Sequence, residues 1–213
     1  MGSSHGAYNV DSRMPRTERV TSRVIVYRSI DSTNIEAGRL LQDGTLQLND
    51  DSVVAIAADT QSAGRGRLDH AWVSRPGESF AVTFVTAVPR WLALDASVNG
   101  WLQMIAGLAA VDGLRGAMRE CGAQSIATVN DDADGAGFML KWPNDVFLGG
   151  HKLGGILSQM VSLPVGSMTE GYNDDNKGAD RIAIIFGIGL NLAIPAEHLP
   201  TLQSTSLQLY YAP

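Results

Sequence analysis

The order of the hydrophobic segments constrains the fold of this chain most, because short strand-like runs follow one another with only two helical patterns between them. The runs are rich in β-branched and aromatic residues, which is typical of strands. They cover 24–27, 53–58, 79–88, 138–142, 146–148, 152–161 and 182–194. Many strands with so few helices predict an α+β domain rather than a doubly wound α/β domain.

Helical periodicity is visible in two segments. Thr33 and Glu36 form a capping-box pattern, and the apolar residues that follow predict a helix that ends near Gly44. The second helix is predicted over 96–120, with a wide apolar face for packing on a sheet. That face consists of Val98, Trp101, Leu102, Ile105, Leu108, Ala109 and Leu114.

The composition is that of one globular domain, with 213 residues, of which 45% are hydrophobic and 18% charged. No apolar run is long enough for a bilayer span, and no secretory signal is visible. The single cysteine, Cys121, fits a reducing compartment, so we expect a cytoplasmic protein that does not act at a membrane. Residues 1–23 resemble a disordered tail or an appended leader, which leaves the folded domain at 24–213.

The charge pattern excludes several classes of function. A net charge of −6 argues against nucleic-acid binding, which needs a cationic face. The four histidines lack zinc-ligand spacing, and no serine lies in a nucleophile-elbow context. The chain has thirteen arginines but three lysines, so the lysines beside apolar segments, Lys141 and Lys152, are notable. This inventory favours electrostatic catalysis at a phosphate or carboxylate group.

The loop 61–70 follows a predicted buried strand and contains Gly64-Arg65-Gly66-Arg67. Flanking glycines let the backbone turn tightly and direct its N–H groups at an anion. Arginine adds a planar set of donors that matches carboxylate and phosphate oxygens. A solvated turn is the alternative interpretation, and the position directly after a strand favours ligand binding.

Two further segments place polar groups next to strands. Lys141-Trp142-Pro143-Asn144-Asp145 predicts a strand end and a turn, although an edge-strand kink is an alternative without a role in binding. In 151–157, Lys152 precedes the Gly154-Gly155 pair, and glycine inside a strand often marks the close approach of a ligand. The segment 187–192, with Gly187, Gly189 and Asn191, lacks the third glycine and the helix of a dinucleotide fingerprint.

Taken together, these segments resemble the biotin–protein ligase family, also called biotin–[acetyl-CoA-carboxylase] ligase. The resemblance runs from residue 24 to residue 207. Its landmarks are Ser32-Thr33-Asn34, Gln61 with Gly64-Arg65-Gly66-Arg67, Trp72, 141–145, 152–157 and 187–192. It implies the fold shared with class II aminoacyl-tRNA synthetases, a central mixed but largely antiparallel sheet flanked by helices.

The resemblance also implies an activity in two steps. Biotin and MgATP would give biotinyl-5′-AMP, and a lysine of a biotin carboxyl carrier protein would then take the biotinyl group. The implied ligands are thus biotin, ATP and Mg²⁺ as substrates, without a tightly bound prosthetic group. The implied partner is a carrier domain of acetyl-CoA carboxylase or a related carboxylase, and a homodimer is compatible with the family.

The family pattern assigns roles to residues of this chain. The expected catalytic residues are Lys152, Arg65 and Arg67. The expected biotin-binding residues are Ser32, Thr33, Asn34, Gln61, Arg65, Gly66, Arg67, Lys152, Gly154, Gly155 and Ile156. The expected nucleotide-binding residues are Arg65, Arg67, Trp72, Lys141, Asn144 and Asn191. Asp145 is a candidate Mg²⁺ ligand.

Three departures from the family pattern are visible. Leu68-Asp69-His70 replaces a further basic residue and glycine after Arg67. The small C-terminal domain of many relatives is not visible in the sequence, and the residues before the first strand are too few for a helix-turn-helix, so we expect no DNA binding. Two alternatives stay open: a lipoate ligase or octanoyltransferase of related fold, and a catalytically silent module that binds biotin.

Overall fold

The computed structural model describes residues 14–49, 52–72, 75–126, 137–163 and 181–212. The polar loops expected over 128–137 and 164–180 therefore lie almost wholly outside the described residues. The strands are β1 (Arg23–Tyr27), β2 (Val53–Ala58), β3 (Gly64–Arg65), β4 (Ala71–Trp72), β5 (Ser79–Pro89), β6 (Gln124–Ser125), β7 (Phe138–Lys141), β8 (Asp145–Leu148), β9 (His151–Ser162), β10 (Arg181–Asn191) and β11 (Tyr211–Ala212). The helices are α1 (Pro15–Glu18), α2 (Thr33–Gln42), α3 (Arg90–Leu94) and α4 (Asn99–Glu120).

Seven strands form the central sheet in the order β1-β2-β5-β10-β9-β8-β7. β1 and β2 are parallel, and every other neighbouring pair is antiparallel. The expected mixed, largely antiparallel sheet of an α+β protein is thereby confirmed. Two small pairs, β3 with β4 and β6 with β11, lie beside it and were not predicted from the sequence.

The two longer helices cover opposite faces of the sheet. α2 packs through Ala37 and Leu41 onto the half formed by β1, β2, β5 and β10. α4 packs through Val111 and Leu114 onto the other half, where it meets β7, β8 and β9. Because side chains alternate along a strand, the residues between those that face α4 point to the opposite side. That side is where the cavity described below lies.

The apolar face predicted for α4 is only partly correct: Leu102 and Leu114 pack on the sheet as expected, but other residues of that face do not. Trp101, Ile105 and Leu108 of the expected apolar face are 63%, 59% and 54% exposed, whereas Val111 is buried. The helix instead approaches the sheet at Gly107, where an added Cβ would lie 2.6 Å from the Leu140 side chain. A glycine at the contact brings the helix backbone close to β7, and hydropathy alone does not reveal this.

The start of the domain also differs from the sequence prediction. Within the stretch expected to be a tail, residues 14–23 include α1, and the Ser22 N–H donates to the Val53 carbonyl at 2.8 Å. Ser32, rather than Thr33, is the N-cap residue of α2. Glu36 does not complete a capping box, because its carboxylate accepts from the Tyr27 hydroxyl and pairs with Arg39. Among the described helices, none combines the length and the apolar character needed to cross a bilayer.

Candidate active site

A cavity of about 720 Å³ lies on the face of the sheet that carries α2. Segments distant in the chain meet there: the start of α2, the loop around β3 and β4, the turn between β7 and β8, and parts of β9 and β10. The lining residues that the sequence predicted are Ser32, Thr33, Asn34, Gln61, Arg65, Gly66, Arg67, Trp72, Asn144, Asp145, Lys152, Gly155, Ile156 and Asn191. The fold thus gathers most of the predicted site residues around one space.

One end of the cavity is a wall of neutral hydrogen-bonding groups. The Thr33 backbone N–H donates to Gln61 Oε1 at 2.8 Å, and Thr33 Oγ1 lies 3.0 Å from the same oxygen. Ile30 and Gln61 form an isolated parallel β-bridge, and this bridge holds the backbone of Gln61 in place. A side chain on Gly64 would lie 2.9 Å from Gln61 Nε2, so the glycine makes room for this amide. Such a wall suits a neutral polar ring better than a charged group.

The other end of the cavity carries positive charge. Lys152 Nζ lies 2.7 Å from Asp145 Oδ1, with side chains 41% and 25% exposed. The loop contributes Arg65 and Arg67, and Arg67 Nη1 donates to Asn144 Oδ1 at 3.2 Å. Two arginines and one lysine, balanced by one carboxylate, leave this end with a net positive charge. An anion such as a carboxylate or a phosphate is the ligand that fits it.

Asn144 fixes the turn that brings Asp145 to Lys152. Its Nδ2 donates to the Ile156 carbonyl at 3.0 Å, and the Ile156 N–H donates to the Asn144 carbonyl at 2.9 Å. Lys152 is also anchored through its backbone, because its N–H donates to the Gln203 carbonyl and its carbonyl accepts from Thr205. The position of the Lys152 ammonium group is therefore restricted by the hydrogen bonds of its backbone as well as by its ion pair with Asp145.

The loop over the cavity is folded against itself. β3 pairs with β4, and the Gly66 N–H donates to the His70 carbonyl at 2.7 Å. Leu68 adopts a left-handed conformation at φ 54° and is 85% exposed. A left-handed leucine costs about 1–2 kcal/mol. The departure from the family pattern at 68–70 thus coincides with a strained, exposed tip at the cavity rim.

Trp72 lies against β10 where that strand has no side chain. A Cβ on Gly189 would lie 2.7 Å from the Trp72 ring, so only glycine leaves space for the indole. Trp72 Nε1 is buried without a hydrogen-bond partner among the described residues. An aromatic face next to the cationic end suits a planar heterocycle.

Two predicted site residues do not line the cavity. Gly154 is not among the lining residues, and a Cβ there would lie 2.1 Å from the Gly189 carbonyl oxygen of β10. Its contact with biotin stays a prediction. Lys141 lies opposite Asp145 in the sheet register, but its Nζ is 4.9 Å from the centroid of the Phe147 ring. The nucleotide-binding role of Lys141 stays a prediction.

Some residues of the site could not be found from the sequence. Pro200, Thr201 and Ser204 line the cavity from a polar segment without a recognisable pattern. Thr83 lies beneath the neutral wall, fully buried, and its Oγ1 is 2.7 Å from both Thr33 Oγ1 and Asn34 Oδ1. β5 is otherwise apolar around Thr83, but it also contains Thr86, so the sequence did not single out Thr83.

A magnesium site built by protein side chains does not emerge from the described residues. No three histidine, cysteine, aspartate or glutamate side chains gather within that part of the chain. The Asp145 carboxylate forms an ion pair with Lys152. A metal ion at Asp145 Oδ1 would compete with the Lys152 ammonium group. The donor set fits Mg²⁺ that is held mainly by the phosphates of a nucleotide, and the role of Asp145 as a ligand stays a prediction.

Comparisons with known proteins agree with the geometry. Residues 26–170 match the Biotin/lipoate A/B protein ligase family. The biotin–[acetyl-CoA-carboxylase] ligase of Paracoccus denitrificans is 35% identical over 163 residues, which cover 76% of this chain and 52% of that protein. The chain spans about half the length of the curated relatives it matches, or less.

Solved structures share the fold. Biotin protein ligase from Leishmania major, in complex with biotinyl-5-AMP, has a TM-score of 0.56 and 21% identity and covers 88% of this chain and 64% of its own. Biotin protein ligase from Aquifex aeolicus, in complex with biotin and ATP, has a TM-score of 0.52 and 24% identity, with coverages of 88% and 60%. At these identities the likeness is one of fold.

Proposed function

Because the chain belongs to the Biotin/lipoate A/B protein ligase family, we propose that it activates biotin with ATP and transfers the biotinyl group to a lysine of a biotin carboxyl carrier protein. One observation carries the proposal. A single cavity joins the neutral wall at Thr33 and Gln61 to the cationic end at Arg65, Arg67 and Lys152. Biotin has a neutral ureido ring at one end and a carboxylate at the other, and it matches this polarity.

In the first step, a carboxylate oxygen of biotin bonds to the α-phosphorus of ATP, and the bond from that phosphorus to the pyrophosphate leaving group breaks. Negative charge on both reactants opposes their approach. Lys152, Arg65 and Arg67 reduce that repulsion and stabilise the charge that develops on the phosphoryl oxygens. Their fixed positions also hold the reacting groups close together.

In the second step, the neutral ε-amine of the carrier lysine bonds to the carbonyl carbon of biotinyl-5′-AMP. The bond from that carbon to the phosphate oxygen breaks, AMP leaves, and the amine loses a proton to solvent. Lys152 is placed to stabilise the negative charge on the carbonyl oxygen during this attack. The loop over the cavity shields the reactive anhydride from water before the carrier arrives.

The nucleotide is assigned to the part of the cavity near Trp72. The indole face, together with Asn144 and Asn191, offers stacking and hydrogen bonds to a planar base and its sugar. Mg²⁺ enters with ATP as part of the substrate, with Asp145 as its candidate protein ligand. The carrier is assigned to acetyl-CoA carboxylase or a related carboxylase, in line with the names of the relatives.

ATP–pyrophosphate exchange tests the first step directly, because it reports reversible formation of an acyl-adenylate. We expect exchange that depends on biotin and that does not occur with lipoate or octanoate. Exchange that depends on lipoate would instead support the lipoate ligase alternative, which the same family includes. Biotin binding without any exchange would support the silent module and contradict the proposal.

A further inference from the structure

Exposed apolar side chains are concentrated on the outer surface of α3 and α4. Trp91 and Leu94 of α3, with Trp101, Ile105 and Leu108 of α4, are each more than half exposed. α3 packs against α4, and both helices lie on the face of the sheet opposite to the cavity. Single exposed apolar residues are common on soluble proteins, but five on two packed helices mark an interaction surface.

The charge pattern of α4 suits contact with another protein. The sequence has no charged residue from Ala96 to Val111, between Asp95 and Asp112. A net charge of −6 disfavours a nucleic acid or an anionic membrane surface as the partner. A neutral, apolar protein surface is the partner that fits, and a second copy of this chain presents one.

One row of α4 side chains changes from large to small along the helix. Trp101, Ile105, Ala109 and Gly113 follow one another at a spacing of four residues, and all four are exposed. This spacing places them in one row on the helix surface. When two such helices lie antiparallel, the large residues of each copy lie opposite the small residues of the other. Trp101 then meets Gly113, and Ile105 meets Ala109.

The packing of the described chain does not require glycine at position 113. Apart from the helix itself, a Cβ there would have no neighbour within 4 Å. Gly107 is different, because a Cβ there would lie 2.6 Å from the Leu140 side chain. Glycine inside a helix is unfavourable compared with alanine, so an exposed glycine with free space needs another explanation. A bulky side chain of a second molecule, packed over Gly113, provides one.

We propose that two copies of this chain associate through antiparallel α4 helices, related by a two-fold axis between Ile105 and Ala109. Such isologous pairs are the commonest homo-oligomers. The five exposed apolar side chains offer roughly 600 Å² per copy, so a pair buries roughly 1,200 Å², at the lower end of the range for specific interfaces. Because the interface lies behind the sheet, both cavities stay open.

Sedimentation equilibrium of the wild type and of two glycine variants tests the proposal. The wild type is expected to dimerise. Gly113→Leu places a side chain where Trp101 of the other copy lies, so we expect its dissociation constant to rise at least about tenfold. Gly38→Leu is the matched control, because a Cβ on this glycine of α2 would also meet nothing within 4 Å. It is expected to keep the wild-type dissociation constant.

Urea unfolding separates association from folding, at protein concentrations where the wild type and Gly113→Leu are both monomeric. Leucine has a higher helix propensity than glycine, and the space at position 113 is free. The unfolding midpoint of Gly113→Leu is therefore expected to be no lower than that of the wild type. The weaker association of this variant then reflects the interface and not a damaged fold.

Cysteine cross-linking tests the position of the axis without relying on the glycine variants. Leu108 is exposed and lies beside the midpoint of the row. In a Cys121→Ser background, Leu108→Cys is expected to form a disulfide-linked dimer under mild oxidation. Leu202→Cys in the same background is the control, because Leu202 is equally accessible to an oxidant but lies outside α3 and α4.

A wild-type protein that stays monomeric at every concentration would overturn the proposal, as would a dimer whose dissociation constant is the same in Gly113→Leu. Cross-linking of Leu108→Cys that does not exceed that of Leu202→Cys would also overturn it. None of these measurements requires biotin or ATP. The proposal goes beyond the proposed function, and either one can fail without the other.

Discussion

Lys152 is the residue on which the proposed chemistry depends most. Its Nζ is 2.7 Å from Asp145 Oδ1, and its backbone is bound to the segment 203–205 on both sides. The ion pair is partly exposed, so its value for stability is small. In the proposed chemistry its value is larger, because the carboxylate would hold the ammonium group at the cavity before the substrates bind.

Replacement of Lys152 by alanine is expected to lower the rate of biotin-dependent ATP–pyrophosphate exchange about 10²–10³-fold, the usual effect of losing one such donor. Lys152→Arg, which keeps the charge but changes its shape, is expected to lose less. Arg119→Ala is the matched control, because it removes an exposed cation from α4 on the opposite face of the sheet. An exchange rate in Lys152→Ala within threefold of the wild type would exclude the assigned role.

At the scale of elements, one face of β9 packs in the protein core and the other face lines the cavity. Gly154 packs against Gly189 and Leu190 of β10, and Gly155 faces the cavity beside Asp145. An added Cβ at Gly154 would meet a backbone oxygen that cannot move away. At Gly155 the nearest atom is 3.5 Å away, which is an ordinary contact. Adjacent glycines are therefore needed for different reasons.

Gly154→Ala is expected to lower the free energy of unfolding by about 2 kcal/mol or more, through overpacking between two strands. Gly155→Ala is expected to change the stability by less than about 1 kcal/mol and to weaken the binding of biotin, because its methyl group enters the cavity. Urea unfolding and calorimetric titration of both variants separate the two effects. Equal losses of stability would contradict the assignment of the two faces.

α2 is tied to β1 by a buried tyrosine. The Tyr27 hydroxyl donates to Glu36 Oε1 at 2.7 Å. Burial, followed by the hydrogen bond to the Glu36 carboxylate, raises the pKa of Tyr27 above its ordinary value of 10.0. Because the folded pKa is the higher one, this contribution to stability is complete below about pH 10 and is lost as the pH rises further.

Tyr27→Phe is expected to lower the free energy of unfolding by about 1–2 kcal/mol at neutral pH, since the hydrogen bond to a charged group is removed. The difference between the variant and the wild type is expected to shrink as the pH rises above the ordinary tyrosine pKa, where the wild type loses the contribution. Urea unfolding of both proteins at about pH 7 and about pH 11 measures it. A difference that stays constant over this range would refute the role of Tyr27.

At the scale of the whole molecule, the elements could be predicted better than their arrangement. Local apolar patterns predicted β2 at 53–58 and most of β5 and β9. They predicted only part of the face of α4 that packs on the sheet, because that face also depends on a contact between Gly107 and β7. The buried Thr83 escaped notice for the same reason, because its partners on α2 lie about fifty positions away.

The central sheet forms one wall of the cavity. Strands β9 and β10 bring Gly155, Ile156 and Asn191 under the loop after β2, and α4 supports the same strands from behind. Short motifs predicted which residues belong to the site, while the sheet order decides which of them meet. A site assembled from such distant segments depends on the whole fold.

The most direct test of the central claim is intact-mass analysis of a biotin carboxyl carrier domain incubated with this protein, biotin and MgATP. The account predicts one biotinyl group on one lysine of the carrier, with little or none formed by Lys152→Ala in the same time. Carrier that stays unmodified, although the protein catalyses biotin-dependent ATP–pyrophosphate exchange, would contradict the proposed transfer step. Equal modification by the wild type and by Lys152→Ala would contradict the assigned chemistry of the cavity.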